Sequence, residues 1–325
     1  MKQAILTALQ NLRLDAEILC VRTAPQFSRV ELKCVQPLNE ELLDEFAFQI
    51  SLELNCFDKP TLSYDGQVLS VDLPNETRRV VPLESLPIAK QQGAIVLPLG
   101  EGLDGQKHYL DLCKAPHVWL AGATGTGKST LQQAWLATIA KEYADEVQLV
   151  LVDPKRVEFS DWERTDLLFH GLYVVDRLQI LAALEILLAE MEYRYDELSK
   201  AGVTNIQEYN KLANVPLKKI VVMIDECSSF QYFGERKVFM LLQSLLQKCR
   251  SAGIYFVIAT QCDFGGETAF VLENVPTRVA FKMSAYGDSR FFLGDGAATS
   301  LLGKGDAIVQ NPDGTRCRLQ TPWVR

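Results

Sequence analysis

Gly122-Ala-Thr-Gly-Thr-Gly127-Lys128-Ser129, set directly behind the apolar run Val118-Trp119-Leu120-Ala121, is the stretch that decides the fold. It satisfies G-x-x-x-x-G-K-[ST] at every fixed position, with a strand-like run before it and a helical pattern, Ser129 to about Tyr143, after it. Three glycines let the backbone fold round an anion with its N–H groups pointing inward. Lys128 can reach the β- and γ-phosphates of a nucleotide, and the Ser129 hydroxyl can hold Mg2+. The positive end of the following helix adds to the same site. The expected contacts to ATP are Gly122, Ala123, Thr124, Gly125, Thr126, Gly127, Lys128, Ser129 and Thr130. A plain glycine turn between strand and helix would need neither Lys128 nor Ser129.

A nucleotide site needs a second half, and Lys219-Ile-Val-Val-Met-Ile-Asp225-Glu226 supplies it. Ile220 to Ile224 is too short and too β-branched for a helix and reads as a buried parallel strand. Asp225 at its C-terminal end is expected to join Ser129 in holding Mg2+, the Walker B role. Glu226 falls where a carboxylate base can orient water against the γ-phosphate, which would make hydrolysis possible. An acidic pair closing a strand is common on its own; its meaning here comes from the loop.

The same alternation continues outward. Apolar runs at Val118–Ala121, Val147–Val152, Ile220–Ile224, Tyr255–Ala259 and Val279–Phe281 are separated by helical patterns at Ser129–Tyr143, Leu178–Lys200 and Lys237–Ser251. That rhythm predicts βαβ units in an α/β fold, a RecA-like P-loop NTPase core with a mostly parallel sheet and ligands at the C-terminal strand ends. Asp153, Asp225 and Thr260-Gln261 fall at such ends. Gln261 is placed to sense the γ-phosphate, or else simply closes a buried strand.

Before the core, Gln3–Leu19 reads as an amphipathic helix, and Phe27–Val35 alternates as a strand with Val30, Leu32 and Cys34 on one face. Asn39–Leu54 is helical in spacing, and Asp65-Gly66 marks a hairpin between Thr61-Leu-Ser-Tyr and Val68-Leu-Ser-Val. Ser85–Leu99 reads as a linker. The expected division is a small α+β domain, residues 1–84, preceding a motor domain, residues 85–325.

Composition sets the outer bounds. A chain of 325 residues suggests two domains, and no apolar stretch approaches the length needed to span a bilayer, so no membrane insertion is expected. With no signal peptide and eight scattered cysteines lacking any C-x-x-C pair, free thiols in the cytoplasm are expected and zinc is not. The three histidines, His108, His117 and His170, stand apart from one another. A net charge of −8 argues against a surface coated for nucleic acid but leaves room for local basic patches at Lys218-Lys219, Arg236-Lys237 and Lys248–Arg250, or for ordinary solvated faces.

Several segments carry a resemblance that spans roughly residues 90–325. Pro116-His117-Val-Trp-Leu-Ala-Gly-Ala-Thr-Gly-Thr-Gly-Lys-Ser comes first, then Leu151-Val-Asp-Pro-Lys155 with Glu158-Phe, and Glu192-Tyr-Arg-Tyr. Arg250-Ser-Ala-Gly-Ile-Tyr-Phe-Val-Ile-Ala-Thr-Gln261, Asn274-Val-Pro-Thr-Arg278-Val-Ala-Phe, Asp288-Ser-Arg290 and Leu301-Leu-Gly-Lys-Gly-Asp306 follow in order. Together they resemble the FtsK/SpoIIIE family of DNA-translocating ATPases, within the FtsK-HerA superfamily of motors. Phe27-Ser-Arg-Val-Glu-Leu and Val71-Asp-Leu-Pro-Asn75 are more weakly similar to the small domain that precedes the core in that family.

The resemblance implies a homo-oligomer, a hexameric ring that encloses double-stranded DNA and moves it by ATP hydrolysis. In such rings a neighbour's arginine commonly completes the site. Arg250 is the first candidate, followed by Arg278 and Arg290, and each could instead pair within its own subunit. Lys128, Glu226, Gln261 and Arg250 are thus the expected catalytic set. Cys227–Arg236 and Asp263–Glu273 are the candidate pore loops. The family's chromosome-segregating members carry N-terminal membrane helices and a C-terminal winged-helix domain, so a stand-alone form is expected here. Type VII secretion ATPases use the same core to push polypeptides, and a scaffold or regulatory ring is a third reading.

Overall fold

The computed structural model describes residues 2–54, 60–227, 230, 236–261, 264 and 274–324. It contains two compact units, residues 1–81 with 101–107, and residues 82–100 with 108–325.

The first unit holds helix α1 (Lys2–Asn11), strands β1 (Ala16–Thr23) and β2 (Phe27–Cys34), helix α2 (Glu40–Leu54), and strands β3 (Thr61–Tyr64) and β4 (Val68–Pro74). The strands form an antiparallel sheet in the order β1-β2-β4-β3. Helical spacing over 3–19 was expected to continue, yet the helix stops at Asn11. Arg13 takes a left-handed φ of 54° and the Leu14 amide reaches back to the Leu9 carbonyl, so the chain leaves the helix and Ile18, Val21 and Thr23 continue as strand. Asn39 caps α2 by accepting from the Leu42 amide at 2.9 Å. The hairpin forms at Asp65-Gly66, where the Asp65 carboxylate accepts from the Gln67 and Val68 amides and Gly66 sits at φ 100°. Ile5, Leu9, Val30, Leu32, Phe46, Ile50, Leu69 and Val71 make the core of this unit.

The chain continues through β5 (Val81–Pro82), β6 (Val96–Gly102), β7 (Lys107–Asp111), β8 (His117–Ala121), α3 (Lys128–Glu142), β9 (Val147–Val152) and β10 (Leu168–Val174). Then come α4 (Arg177–Lys200), α5 (Ile206–Leu212), β11 (Lys219–Ile224), α6 (Arg236–Lys248), β12 (Ile254–Thr260) and β13 (Thr277–Phe281). Helix α7 (Tyr286–Leu293) and strands β14 (Asp306–Gln310), β15 (Arg316–Gln320) and β16 (Pro322–Trp323) complete it. The main sheet runs β10-β9-β11-β12-β8-β13-β14-β15-β6-β7, parallel from β10 to β13 and antiparallel where β14 and β15 join.

The central strands β8, β11 and β12 are buried at every position, and apolar except at their ends (His117, Lys219, Thr260), because both faces are covered. Val222, Ile224 and Phe256 point into one core with α4 and α6; Val221, Met223 and Val257 point into the other with Leu131, Trp135 and Ile139 of α3. Register then fixes the functional end: Ile224 lies opposite both Val152 and Ile258, and Thr260 lies opposite Ala121. Arg194, from the segment Glu192-Tyr-Arg-Tyr, is buried at the other end. It donates to the Ala252 and Lys218 carbonyls at 2.8 and 2.9 Å and pairs with Glu190, riveting α4 to the starts of β11 and β12.

Strand β10 escapes the sequence pattern because it is broken internally: His170 and Gly171 take left-handed φ of 50° and 69°, and its register with β9 shifts between Leu168 and Tyr173. The stretch expected as a linker enters the sheet as β6. Its anchors are α3 and the residue that ends it: the Trp135 indole donates to the Pro98 carbonyl, and the Tyr143 hydroxyl accepts from the Val96 amide. The six described cysteines are free thiols, and Cys317 lies 3.7 Å from Nε2 of His108, a proximity the sequence does not reveal. No helix among the described residues is long and apolar enough to cross a membrane.

His117 opens β8 in a buried position, with Nδ1 accepting from the Phe256 amide at 3.1 Å. Burial, helped by nearby Arg250, holds its pKa down to about 4 from 6.5. A depressed histidine pKa gives stability that is present above the unfolded value and lost as pH falls toward the folded one. Unfolding titrations at pH 7 and pH 5 should therefore differ by about 2 kcal/mol from this group. His117→Asn should remove that part of the pH dependence; an unchanged pH slope would show that His117 does not contribute it.

Candidate nucleotide site

The loop after β8 adopts a backbone only glycine accommodates. Gly125 and Gly127 take φ of 74° and 126°. A Cβ on Gly127 would stand 2.8 Å from the Gly305 Cα, and one on Gly122 would stand 2.7 Å from the Phe281 Cβ. The loop is buttressed from the β13–β14 side: the Ala123 amide donates to the Lys282 carbonyl at 2.9 Å, and the Gly305 amide donates to the Thr126 carbonyl at 2.7 Å. The segment Leu301–Asp306 thus acts as the loop's outer wall, held by the Arg318–Asp306 ion pair at 2.7 Å. Within the loop, Thr126 Oγ1 bonds the Ala123 carbonyl at 2.7 Å. Lys128 Nζ, buried, donates to the Gly122 and Ala123 carbonyls at 2.5 and 2.9 Å, so its ammonium sits inside the curl of the loop. Ser129 and Thr130 begin α3 half-buried.

The acidic half stands across from it. Asp225 and Glu226 follow β11 and are both buried, and Asp153 follows β9 with no exposed surface. Burial, and then the carboxylates of Glu158, Asp153 and Glu226, push the Asp225 carboxyl up to about 7; only Lys155 pulls it back. Lys155 Nζ lies 3.6 Å from Glu226 Oε2, and Asp153 Oδ1 is buried without a hydrogen-bond partner. The orphaned carboxylate oxygen, Asp225 and the Ser129 hydroxyl are oxygen donors of the hard type that Mg2+ takes, and they are the groups that could hold it, although no set of three or more His, Cys, Asp or Glu side chains is grouped for a metal among the described residues.

Gln261 joins the two halves. Its backbone N–H lies 3.4 Å from Glu226 Oε1, and its side-chain oxygen accepts from Thr124 Oγ1 of the loop at 3.2 Å. Loop, acidic pair and glutamine therefore converge at the C-terminal ends of β8, β11 and β12. Lys155 and Glu158 did not stand out as site residues in the sequence. Both lie in a segment that carries the family resemblance, and the pointer to a site role was their position after the strand end at Asp153.

Arg250 is not among the converging groups. It precedes β12 while Gln261 follows it, and a seven-residue strand separates the two by roughly 23 Å. Arg250 is exposed at that far end. Arg278 is half-buried and engaged in its own subunit, donating to the Phe292 carbonyl at 2.6 Å and lying over the Phe292 ring. Arg290 is exposed on α7. The stretches read as pore loops, 227–236 and 263–273, lie outside the described residues except for Cys227, Phe230, Arg236 and Phe264.

A P-loop ATPase core is the class this sheet and loop define. Within it, residues 82–263 match the model of the FtsK/SpoIIIE family, and the chain belongs to that family. Among curated relatives it is similar to DNA translocase SftA of Bacillus subtilis, 29% identical over 99% of this chain and 35% of SftA. It is also similar to DNA translocase FtsK of Treponema pallidum, 33% identical over 79% of this chain and 34% of that protein. The chain spans less than half the length of these relatives. Among solved structures it is similar in fold to the pCW3 conjugation coupling protein TcpA with ATPγS: TM-score 0.71, 20% identity, 99% of this chain and 94% of that one. The type VII secretion ATPase EccC of Thermomonospora curvata shares the fold at TM-score 0.64 and 21% identity, over 75% of this chain and 30% of that one.

Proposed function

We propose that this chain hydrolyses ATP and uses the energy to move double-stranded DNA, working in the cytoplasm as a hexameric ring. The observation that carries the reading is the junction at Gln261, which contacts the phosphate loop through Thr124 and the acidic pair through Glu226. A group that touches both halves can report the γ-phosphate to the residue that orients water. In this reading the Lys128 ammonium leaves the loop carbonyls for the β- and γ-phosphates, and the loop N–H groups hold the remaining oxygens. Mg2+, held by Ser129 and Asp225, would supply positive charge to the phosphates and relieve the crowding among Asp153, Glu158, Asp225 and Glu226. Glu226 positions the attacking water and takes its proton.

DNA as the moved polymer is supported by the family and by relatives named as DNA translocases. Domain 1–84 and motor 85–325 are the proposed division of labour, the motor carrying the nucleotide chemistry. Duplex DNA should stimulate turnover and bind without sequence preference, through the backbone. Its affinity should fall by about a thousandfold or more between 50 and 200 mM salt if roughly six phosphates are contacted per complex. ATPase activity measured with and without duplex at the lower salt is the deciding experiment. Intact hydrolysis with neither binding nor stimulation would move the assignment to a polypeptide-moving or scaffold ring.

A further inference from the structure

A cavity of about 500 Å3 opens where β9 and β11 begin, at the end of the sheet opposite the phosphate loop. Lys219 opens β11 and Asp225 follows it, so the cavity and the acidic pair stand roughly 20 Å apart. One wall is the turn after α3, with Asp145 and Glu146, and another is α5 with the segment behind it, which brings Lys211 and Lys218. Gln92 and Gly93 close a third side.

The walls are braced within the chain. Asn210 spans the α5 wall, its amide nitrogen donating to the Leu217 carbonyl at 2.9 Å and its oxygen accepting from the Leu217 amide at 2.8 Å. Gln207 Nε2 ties α5 to the Gly93 carbonyl at 3.3 Å, and Lys218 Nζ donates to the Ala144 carbonyl at 3.2 Å. At the floor lies Lys219, only 4% exposed. Its backbone N–H donates to the Glu146 carbonyl at 2.9 Å, whereas its ammonium forms no hydrogen bond or ion pair among the described residues. A buried ammonium without an acceptor is costly, and an anion relieves that cost.

We propose that this cavity binds a small molecule through a carboxylate placed on the Lys219 ammonium. Charge selects the group. Three lysines and two carboxylates line the cavity, Lys211, Lys218 and Lys219 against Asp145 and Glu146, which leaves one positive charge unmatched. The four exposed groups cancel at the rim, and the surplus is the buried one. A carboxylate brings a single negative charge and meets it, whereas a phosphate monoester brings nearly two and is repelled by the rim carboxylates as well. The rest of the ligand lies among polar side chains of both signs, so it carries hydrogen-bonding groups of its own, and the volume is that of a pocket for a molecule of metabolite size. None of these residues belongs to the nucleotide site, so the proposal stands apart from the motor reading.

Acetate is the minimal probe, read on the full chain by saturation transfer from the protein to the acetate methyl protons, with sodium chloride holding ionic strength constant. The wild type should show transfer. Saturating Mg·ATP should leave it unchanged, which separates this cavity from the phosphate loop. Lys219→Met keeps an unbranched apolar stem and removes the charge; it should weaken acetate by about tenfold or more, the loss of one charge-assisted contact, with circular dichroism confirming the fold. Asp145→Asn and Glu146→Gln lie at the exposed rim and leave the floor untouched, and each should strengthen acetate by about twofold or more. No transfer in the wild type, or equal transfer in Lys219→Met, would overturn the site. Where Lys219→Met does not fold, the rim variants decide, and affinities unchanged in both would overturn it as well.

Discussion

Glu226→Gln should bind ATP as the wild type does and turn it over at least about a hundredfold more slowly, the lower end of what a positioned base contributes. The substitution keeps the side chain's size and its ability to accept from the Gln261 amide, now 3.4 Å away. It removes the charge that faces Lys155 and the basicity needed to take a proton from water. Nucleotide should accumulate unhydrolysed on the protein. Lys128→Ala is expected to differ: with the buried ammonium gone, the β/γ charge is uncompensated, so both affinity and turnover collapse. Filter retention of labelled ATP separates the two variants, and wild-type turnover in Glu226→Gln would take the base assignment away from that residue.

How well the sequence announces each part follows from whether local chemistry or distant packing creates it. The phosphate loop is legible because its glycines answer a local backbone demand and Lys128 and Ser129 are specified by the ligand. The parallel strands are legible because burial on both faces leaves a near-continuous apolar run, unbroken in Ile220–Ile224 and interrupted only by Gln148 in Val147–Val152. Strand β10 is hidden because its hydrogen bonds come from β9 despite a left-handed break at His170-Gly171. Strand β6 is hidden because its anchors, Trp135 of α3 and Tyr143 at its end, are side chains some forty residues away along the chain. The over-long first helix fails for the opposite reason, since apolar spacing persists through Leu14 and Ile18 while a single backbone turn at Arg13 redirects the chain. At the site, a pair such as Lys155 and Glu226 is distant in sequence and meets only through the register of β9 with β11. The cavity at Lys219 likewise joins the segment before β6, the turn after α3 and helix α5, which no linear pattern connects.

Arg250→Ala should lower turnover by about 10³-fold or more while leaving nucleotide binding and ring assembly nearly intact, the range associated with an arginine supplied in trans. The geometry makes an action in cis untenable. Arg250 stands at the opposite end of β12 from Gln261, roughly 23 Å away, beyond the reach of any arginine side chain. Its effect on catalysis would have to come from a neighbouring subunit that presents this end of its sheet to the loop. Activity per subunit should then rise with protein concentration as rings form. Mixing Arg250→Ala with Lys128→Ala subunits tests the trans arrangement directly, because each lacks a different half of a composite site. Interfaces that pair an intact Lys128 from one variant with an intact Arg250 from the other should restore partial turnover. Recovery would establish the composite site. Mixed rings as inactive as either parent would show that the motor requires every site to fire or that the finger is elsewhere. Arg290 is then the next residue to substitute, since it too is exposed, whereas Arg278 is engaged by the Phe292 carbonyl of its own chain.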